Sequence, residues 1–218
     1  MEPRKIKTKS TKVIPSLVFE KQLWDLGIGI VAGIDEVGRG AWAGPLSVGV
    51  AIVPFDKRIY GIRDSKMLNE SQRQNIFPKV SSWCLDWAVG HVSPKECDDL
   101  GISKAQKLAT SRALAQLKIS PEHVLIDGKW DFVDFGDNKT TKIIKGDAKC
   151  LSIAAASILA KVTRDQIMIN YHSQFPQYGF ASNKGYPSTV HKNALKKWGL
   201  LAIHRKSWSF AKDLSIIK

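Results

Sequence analysis

Residues 30–35 form an unbroken apolar stretch ending in Asp35, which reads as a buried strand, and residues 46–53 form a second, closed by Pro54. Between them lie Gly38-Arg39-Gly40 and Gly44-Pro45, a connection short enough to join antiparallel neighbours. Residues 83–92 alternate enough for a third strand. Shorter apolar strands at 123–126 and 141–144 run into Asp127-Gly128 and Lys145-Gly146-Asp147. Helical spacing predicts a short helix over 19–26 and another opened by Asn69 with Gln72, which Pro78 must kink or end. A third is predicted over 103–117 with Ser103 as cap, a fourth over 152–170, and a fifth over 188–198 that carries Lys192, Lys196 and Lys197. The fourth begins apolar on nearly every side and must be buried, except for a polar stripe of Ser157, Lys161, Arg164 and Asp165. The pattern is α/β: a mixed central sheet flanked by helices, with a C-terminal helical region.

Length and composition limit the organisation. The 218 residues, 44% hydrophobic, suit one compact domain over 13–218, preceded by a basic tail over 1–12 that is expected to be disordered. The formal net charge is +13, of which the tail contributes +4, leaving +9 on the folded body. A basic body favours a polyanion through counterion release, and nucleic acid is the leading partner. Cys84, Cys97 and Cys150 are odd in number and lack CxxC spacing, which argues against a disulfide framework or a zinc site and for a reducing compartment. No apolar run reaches membrane-spanning length and no secretory leader is read, so the expected location is cytoplasmic, away from membranes. No apolar heptad marks an association surface, and a monomer is expected.

Acidic residues stand where the apolar strands stop: Asp35-Glu36, Asp127 and Asp147. On neighbouring strands these acids converge, and like charges so close raise one another's pKa unless cations neutralise them. Hard divalent cations take oxygen ligands, and a pair about 4 Å apart suits phosphodiester hydrolysis. Acids at strand ends also cap turns, and Asp-Gly is a common turn pair, so spacing alone leaves both readings open. Adjacent strand residues face opposite sides. Asp35 and Glu36 can therefore share a metal only if the strand ends or bulges there, or if Glu36 offers its main-chain carbonyl.

Eight segments taken in order resemble ribonuclease HII. They are Gly33–Gly40 (GIDEVGRG), Asp64-Ser65-Lys66, Leu125-Ile126-Asp127-Gly128, Lys145-Gly146-Asp147, Ala155–Asp165 (AASILAKVTRD), Tyr178-Gly179-Phe180, Lys184-Gly185-Tyr186-Pro187 and His204-Arg205-Lys206-Ser207. The resemblance implies a ribonuclease H-like fold and Mg²⁺- or Mn²⁺-dependent cleavage, by two metal ions, that leaves a 3′-hydroxyl and a 5′-phosphate. It implies RNA–DNA hybrids and DNA with embedded ribonucleotides as substrates. Carried over by residue, Asp35, Glu36, Asp127 and Asp147 match the metal-binding and catalytic acids. Asp165 competes for the fourth place, but it lies one helical turn from Lys161, where an i,i+4 ion pair explains it.

Gly38, Arg39 and Gly40 match the loop that reads a ribonucleotide, and Tyr186 matches a tyrosine that packs on the following deoxyribose. Lys66, Lys184 and Arg205 are candidate phosphate contacts. Trp42 and Trp130 stand beside the supposed site and are candidates to touch nucleic acid, whereas Trp83 and Trp87 are assigned to the core. His91, His123 and His172 are read as structural. So is His204, although it adjoins the C-terminal motif.

Two alternatives stand beside this reading. Ribonuclease HIII shares the catalytic fold but carries a further N-terminal domain, for which the roughly thirty residues before the first strand leave no room. A basic binding protein on the same scaffold, without catalysis, is the alternative from another class. Its hallmark is loss of the acids, and all four are present in the sequence.

Overall fold

A computed structural model describes residues 14–55, 57, 59, 61–62, 68–136 and 138–215. The basic tail and Lys66 lie outside the described residues. Five strands, β1 (Val31–Val37), β2 (Leu46–Ile52), β3 (Asp86–Val92), β4 (His123–Asp127) and β5 (Thr140–Ile143), form one sheet in the order β3-β2-β1-β4-β5. As the short glycine-rich connection requires, β1 and β2 are antiparallel, and β3 extends that half. Strand β4 joins parallel to β1 after a helical crossover from β3, and β5 joins parallel to β4 across a connection that holds no helix among its described residues.

The helices are α1 (Val18–Asp25), α2 (Glu70–Trp83), α3 (Pro94–Leu100), α4 (Ile102–Leu114), α5 (Gly146–Lys149), α6 (Leu151–Gln174), α7 (Phe180–Asn183), α8 (Thr189–Trp198) and α9 (Ser209–Ser215). Helix α6 covers one face of the sheet. It packs so closely on β1 that a Cβ on Gly33 would lie 2.2 Å from the Ser152 carbonyl carbon. Helix α4 covers the other face against Gly90, where an added Cβ would fall 2.0 Å from the Ala109 oxygen. These approaches separate two hydrophobic clusters, one under α6 and one under α4, and a third gathers Met168, Tyr178, Phe180 and Phe210 in the C-terminal helical region.

Three local expectations are corrected. Of the two outcomes expected at Pro78, a kink or an end, the end does not occur: helix α2 runs on to Trp83. Pro78 and Gln74, whose carbonyl loses its partner, both lie on the exposed side, where water can satisfy the free group. Its start is as expected, a capping box between Asn69 and Gln72. Helix α4 begins at Ile102 behind Gly101 rather than on a Ser103 cap. Immediately before it lies α3, capped reciprocally by Ser93 and Glu96 with Pro94 in the first turn. The Ser-Pro-x-Glu order of residues 93–96 is a helix-start signature that the sequence itself carries. Finally, β5 stops at Ile143, so Asp147 is not at a strand end but within α5.

Burial decides one further feature that periodicity does not reveal. Glu20 of α1 is fully buried, and its carboxylate accepts the Ser152 N–H at 2.7 Å, capping the first turn of α6 from a distant part of the chain.

Candidate active site

Strand geometry brings two acids together. Gly33 pairs with Leu125 and Ile34 with Ile126 in the parallel ladder, so Asp35 and Asp127 follow as neighbours on the face toward α6. The Asp127 carboxylate accepts the Gly146 N–H at 2.6 Å, which ties β4 to the start of α5. Asp35 accepts the Glu36 N–H at 2.8 Å and is hydrogen-bonded by Ser157 of α6. Glu36 sits on the opposite face. Its pairing with Val48, followed by Val37 with Ser47, stays regular, so the strand neither bulges nor ends at Asp35. Yet pairing toward β4 stops at Ile34, and Glu36 lines the same cleft from that open edge.

Asp147 joins the group from α5 and is buried. Burial drives the Asp35 carboxyl well above its ordinary range; the Glu36 charge adds to this, Ser157 opposes it, and Asp127 and Asp147 add further. Asp165 instead lies 2.6 Å from the Lys161 ammonium. The expected i,i+4 pair is therefore formed, although it is nearly buried rather than on the helix surface. Oxygen donors gathered around a buried, mutually repelling carboxylate suit a hard divalent cation. Among the described residues, no group of acids is drawn in far enough to chelate an ion as it stands.

The facing wall of the cleft, which has a volume of about 370 Å³, is the glycine loop with Tyr186. Gly38 has φ +82°, and a Cβ there would lie 2.2 Å from Arg164 Nε and 2.7 Å from the Pro45 oxygen. Its N–H donates to the Tyr186 hydroxyl at 3.1 Å. Gly40 faces open space and Arg39 is exposed.

Two arginines grip this loop from behind. Arg205, 0% exposed, donates to the Arg39 carbonyl at 2.7 Å and the Gly38 carbonyl at 2.6 Å. Arg164, also 0% exposed, donates to Pro45, Lys184 and Ala43 carbonyls at 2.8, 2.9 and 3.1 Å, and its guanidinium lies 5.4 Å from the Tyr186 ring centre. Main-chain bonds Trp42 N–H to Gly185 O and Arg205 N–H to Trp42 O complete the anchorage at 2.8 and 2.9 Å.

This geometry corrects several expectations. Arg205 supports the loop rather than meeting a phosphate, because burial leaves its guanidinium facing carbonyls. Lys184 is likewise buried, with its ammonium 2.8 Å from Glu70 and bonded to the Ala181 carbonyl. Trp42 stacks on Phe210 with centroids 4.2 Å apart and an interplanar angle of 6°, turning it into the C-terminal core, whereas Trp130 is 76% exposed. Arg73, Ser157 and Lys161 line the cleft without having been singled out as site residues. The polar stripe on an otherwise apolar helix was the available signal for Ser157, Lys161 and Arg164; nothing local marks Arg73.

The model of the family described as ribonuclease HII matches residues 32–211. The chain belongs to the ribonuclease HII family. Among curated relatives, ribonuclease HII of Streptomyces avermitilis is 44% identical over 184 residues, 84% of this chain and 78% of that protein. Ribonuclease HII of Clostridioides difficile is 42% identical over 192 residues, 88% of this chain and 74% of the other. Among solved structures, ribonuclease H2 from Pyrococcus horikoshii superposes with TM-score 0.72 at 31% identity, covering 86% of this chain and 97% of its own. A ribonuclease HIII described in complex with Mn²⁺ is 22% identical with TM-score 0.70, covers 93% of this chain and 73% of its own, and bears on the fold alone. As a ribonuclease HII, the chain is a metal-dependent ribonuclease that cleaves RNA in RNA–DNA hybrids, built on the ribonuclease H-like fold that the resemblance implied.

Proposed function

We propose that this ribonuclease HII also incises at single ribonucleotides embedded in duplex DNA, leaving a 3′-hydroxyl and a 5′-phosphate. Asp35, Glu36, Asp127 and Asp147 hold its metal ions, two of Mg²⁺ or Mn²⁺, and it works as a cytoplasmic monomer. The observation that carries this reading is one cleft with Asp35, Glu36 and Asp127 on one side and Gly38, Gly40 and Tyr186 on the other. Bound by the acids, such ions supply the positive charge that favours attack of water on the phosphodiester and departure of the sugar oxygen.

The protein's own groups do the rest. Ser157 and the Gly146 N–H orient Asp35 and Asp127. Arg39 and Arg73 bring positive charge to the cleft for the phosphates. The exposed backbone at Arg39-Gly40 approaches a 2′-hydroxyl, the group that separates ribose from deoxyribose. Tyr186, fixed through its hydroxyl to Gly38, presents its ring to the next sugar, which fits closely only without a 2′-hydroxyl. The non-catalytic alternative finds no support, since the four acids form one electrostatic group around Asp35.

Cleavage of a duplex with one embedded ribonucleotide by wild type and by Asp127→Asn tests this, with Mn²⁺ titration calorimetry on both proteins. Wild type should nick the duplex, and the variant should lose about 10³-fold in turnover and bind Mn²⁺ more weakly while keeping its melting temperature. Activity confined to long hybrids would overturn the junction reading. Unchanged Mn²⁺ affinity in the variant would remove Asp127 from the metal site.

A further inference from the structure

Two buried histidines, His191 of α8 and His204 of the C-terminal motif, do not line the cleft themselves, yet their hydrogen bonds end on Tyr186, which does. The His191 and His204 Nε2 atoms are 3.0 Å apart, His191 Nδ1 lies 2.9 Å from the Tyr186 carbonyl oxygen, and the Leu201 N–H donates to His204 Nδ1 at 2.9 Å. These three contacts admit one arrangement of protons. A main-chain N–H only donates, so His204 Nδ1 is bare and its proton is on Nε2. That proton is donated to His191 Nε2, which is therefore bare, leaving His191 Nδ1–H to donate to the Tyr186 carbonyl, which only accepts. Both rings are neutral. A proton added to either would set two N–H groups against each other or against the Leu201 N–H.

The surroundings enforce this state. Both rings are essentially fully buried, among Tyr178 and Phe180 at centroid distances of 5.3 to 6.3 Å, and burial lowers both pKa values, that of His204 to about 4. The positive charge of Lys206 disfavours protonation of His204 further. Tyr186 is thus held at both ends, its hydroxyl by Gly38 and its carbonyl by His191.

We propose that His204 and His191, locked in these tautomers, are positioning residues that set the placement of Tyr186 and so the preference for a ribonucleotide–deoxyribonucleotide junction. This inference rests on the reading of Tyr186 given above. Imidazole nitrogen NMR of the wild-type protein should show His204 as the Nε2–H and His191 as the Nδ1–H tautomer, and the reverse assignment for His191 overturns the proposal. The kinetic readout is the ratio of kcat/KM on a duplex with one ribonucleotide to that on a long RNA–DNA hybrid. His191→Leu, which cannot donate to Tyr186, should lower that ratio about tenfold, a hydrogen bond's worth. His191→Asn, which keeps a donor near the Nδ1 position, should stay within about twofold of wild type. Equal ratios in the two variants would indicate a merely structural pair and overturn the proposal. Tyr186→Ala separates the two layers. If it leaves the ratio unchanged, the Tyr186 reading fails and this inference with it. If it changes the ratio while His191→Leu does not, this inference alone fails.

Discussion

The two walls of the cleft are held in place by different means. The acidic wall is largely a product of strand order and alternation: Asp35 and Asp127 face α6 because β1 and β4 are parallel neighbours in a fixed register. The loop wall has no regular structure of its own. Its carbonyls at Gly38, Arg39, Ala43 and Pro45 are tied to Arg205 and Arg164, side chains more than a hundred residues away. The acidic wall therefore gathers like charges at some expense of stability, while the loop wall is knitted by buried hydrogen bonds that add to it. Substitutions should separate catalysis from stability along that line.

The largest effect on stability should come from the clamp. Arg205→Met leaves the buried Gly38 carbonyl and the partly buried Arg39 carbonyl without their donor, which costs about 3 kcal/mol, read by denaturant unfolding. Arg205→Lys should rescue little of it, because one ammonium does not reproduce the fork. If Arg205→Met unfolds like wild type while Asp127→Asn does not, the contrast between the walls is reversed.

Within the loop, the two glycines should part company. Gly38→Ala forces a side chain into Arg164 and a positive φ, and should lower the melting temperature as well as activity, a strain of about 1–3 kcal/mol. Gly40→Ala meets nothing in the protein, so its stability should be that of wild type and any loss should appear in KM for substrate. Equal destabilisation by both would mean that Gly40 serves the fold rather than the approach of a sugar.

The last effect is one of pH, and its sign differs between the acidic wall and the histidine pair behind the loop wall. His204 has its pKa lowered in the folded protein from 6.5 to about 4, so the unfolded chain takes up the proton more readily and stability falls as pH drops from about 6.5 to 4. Asp35 has its pKa raised, so there the folded protein takes up the proton more readily, and stability rises as pH falls through that raised value toward 3.8. Removing the second contribution with Asp35→Asn should steepen the loss of unfolding free energy between pH 6.5 and 4. An unchanged slope would place the pH response elsewhere.

How legible each wall was in the sequence follows from the same contrast. The acids stood out because hydrophobic runs end on them, and the sheet then aligned Asp35 and Asp127 by register alone. Asp147 was marked by the pattern and matched by the resemblance, but the pattern put it at a strand end: Lys145 adopts the left-handed conformation at φ 58° and turns the chain into α5 before Asp147 is reached. Lys184 and Arg205 read as surface cations because nothing in a local sequence distinguishes an exposed lysine or arginine from one folded inward onto carbonyls. Only the polar stripe of α6 hinted that Arg164 would do the same.

By itself, then, the sequence determined the mixed α/β architecture, the antiparallel start of the sheet, the acidic strand ends and, through resemblance, the family. These depend on periodicity and turn chemistry, which act over a few residues. Tertiary structure alone decided that Glu20 caps α6, that two arginines grip the glycine loop, and that two histidines share one chain of protons ending at Tyr186. Each is a buried polar group whose partner lies far away along the chain. A desolvated donor or acceptor must find a partner wherever the packed core provides one, and no local pattern records where that is.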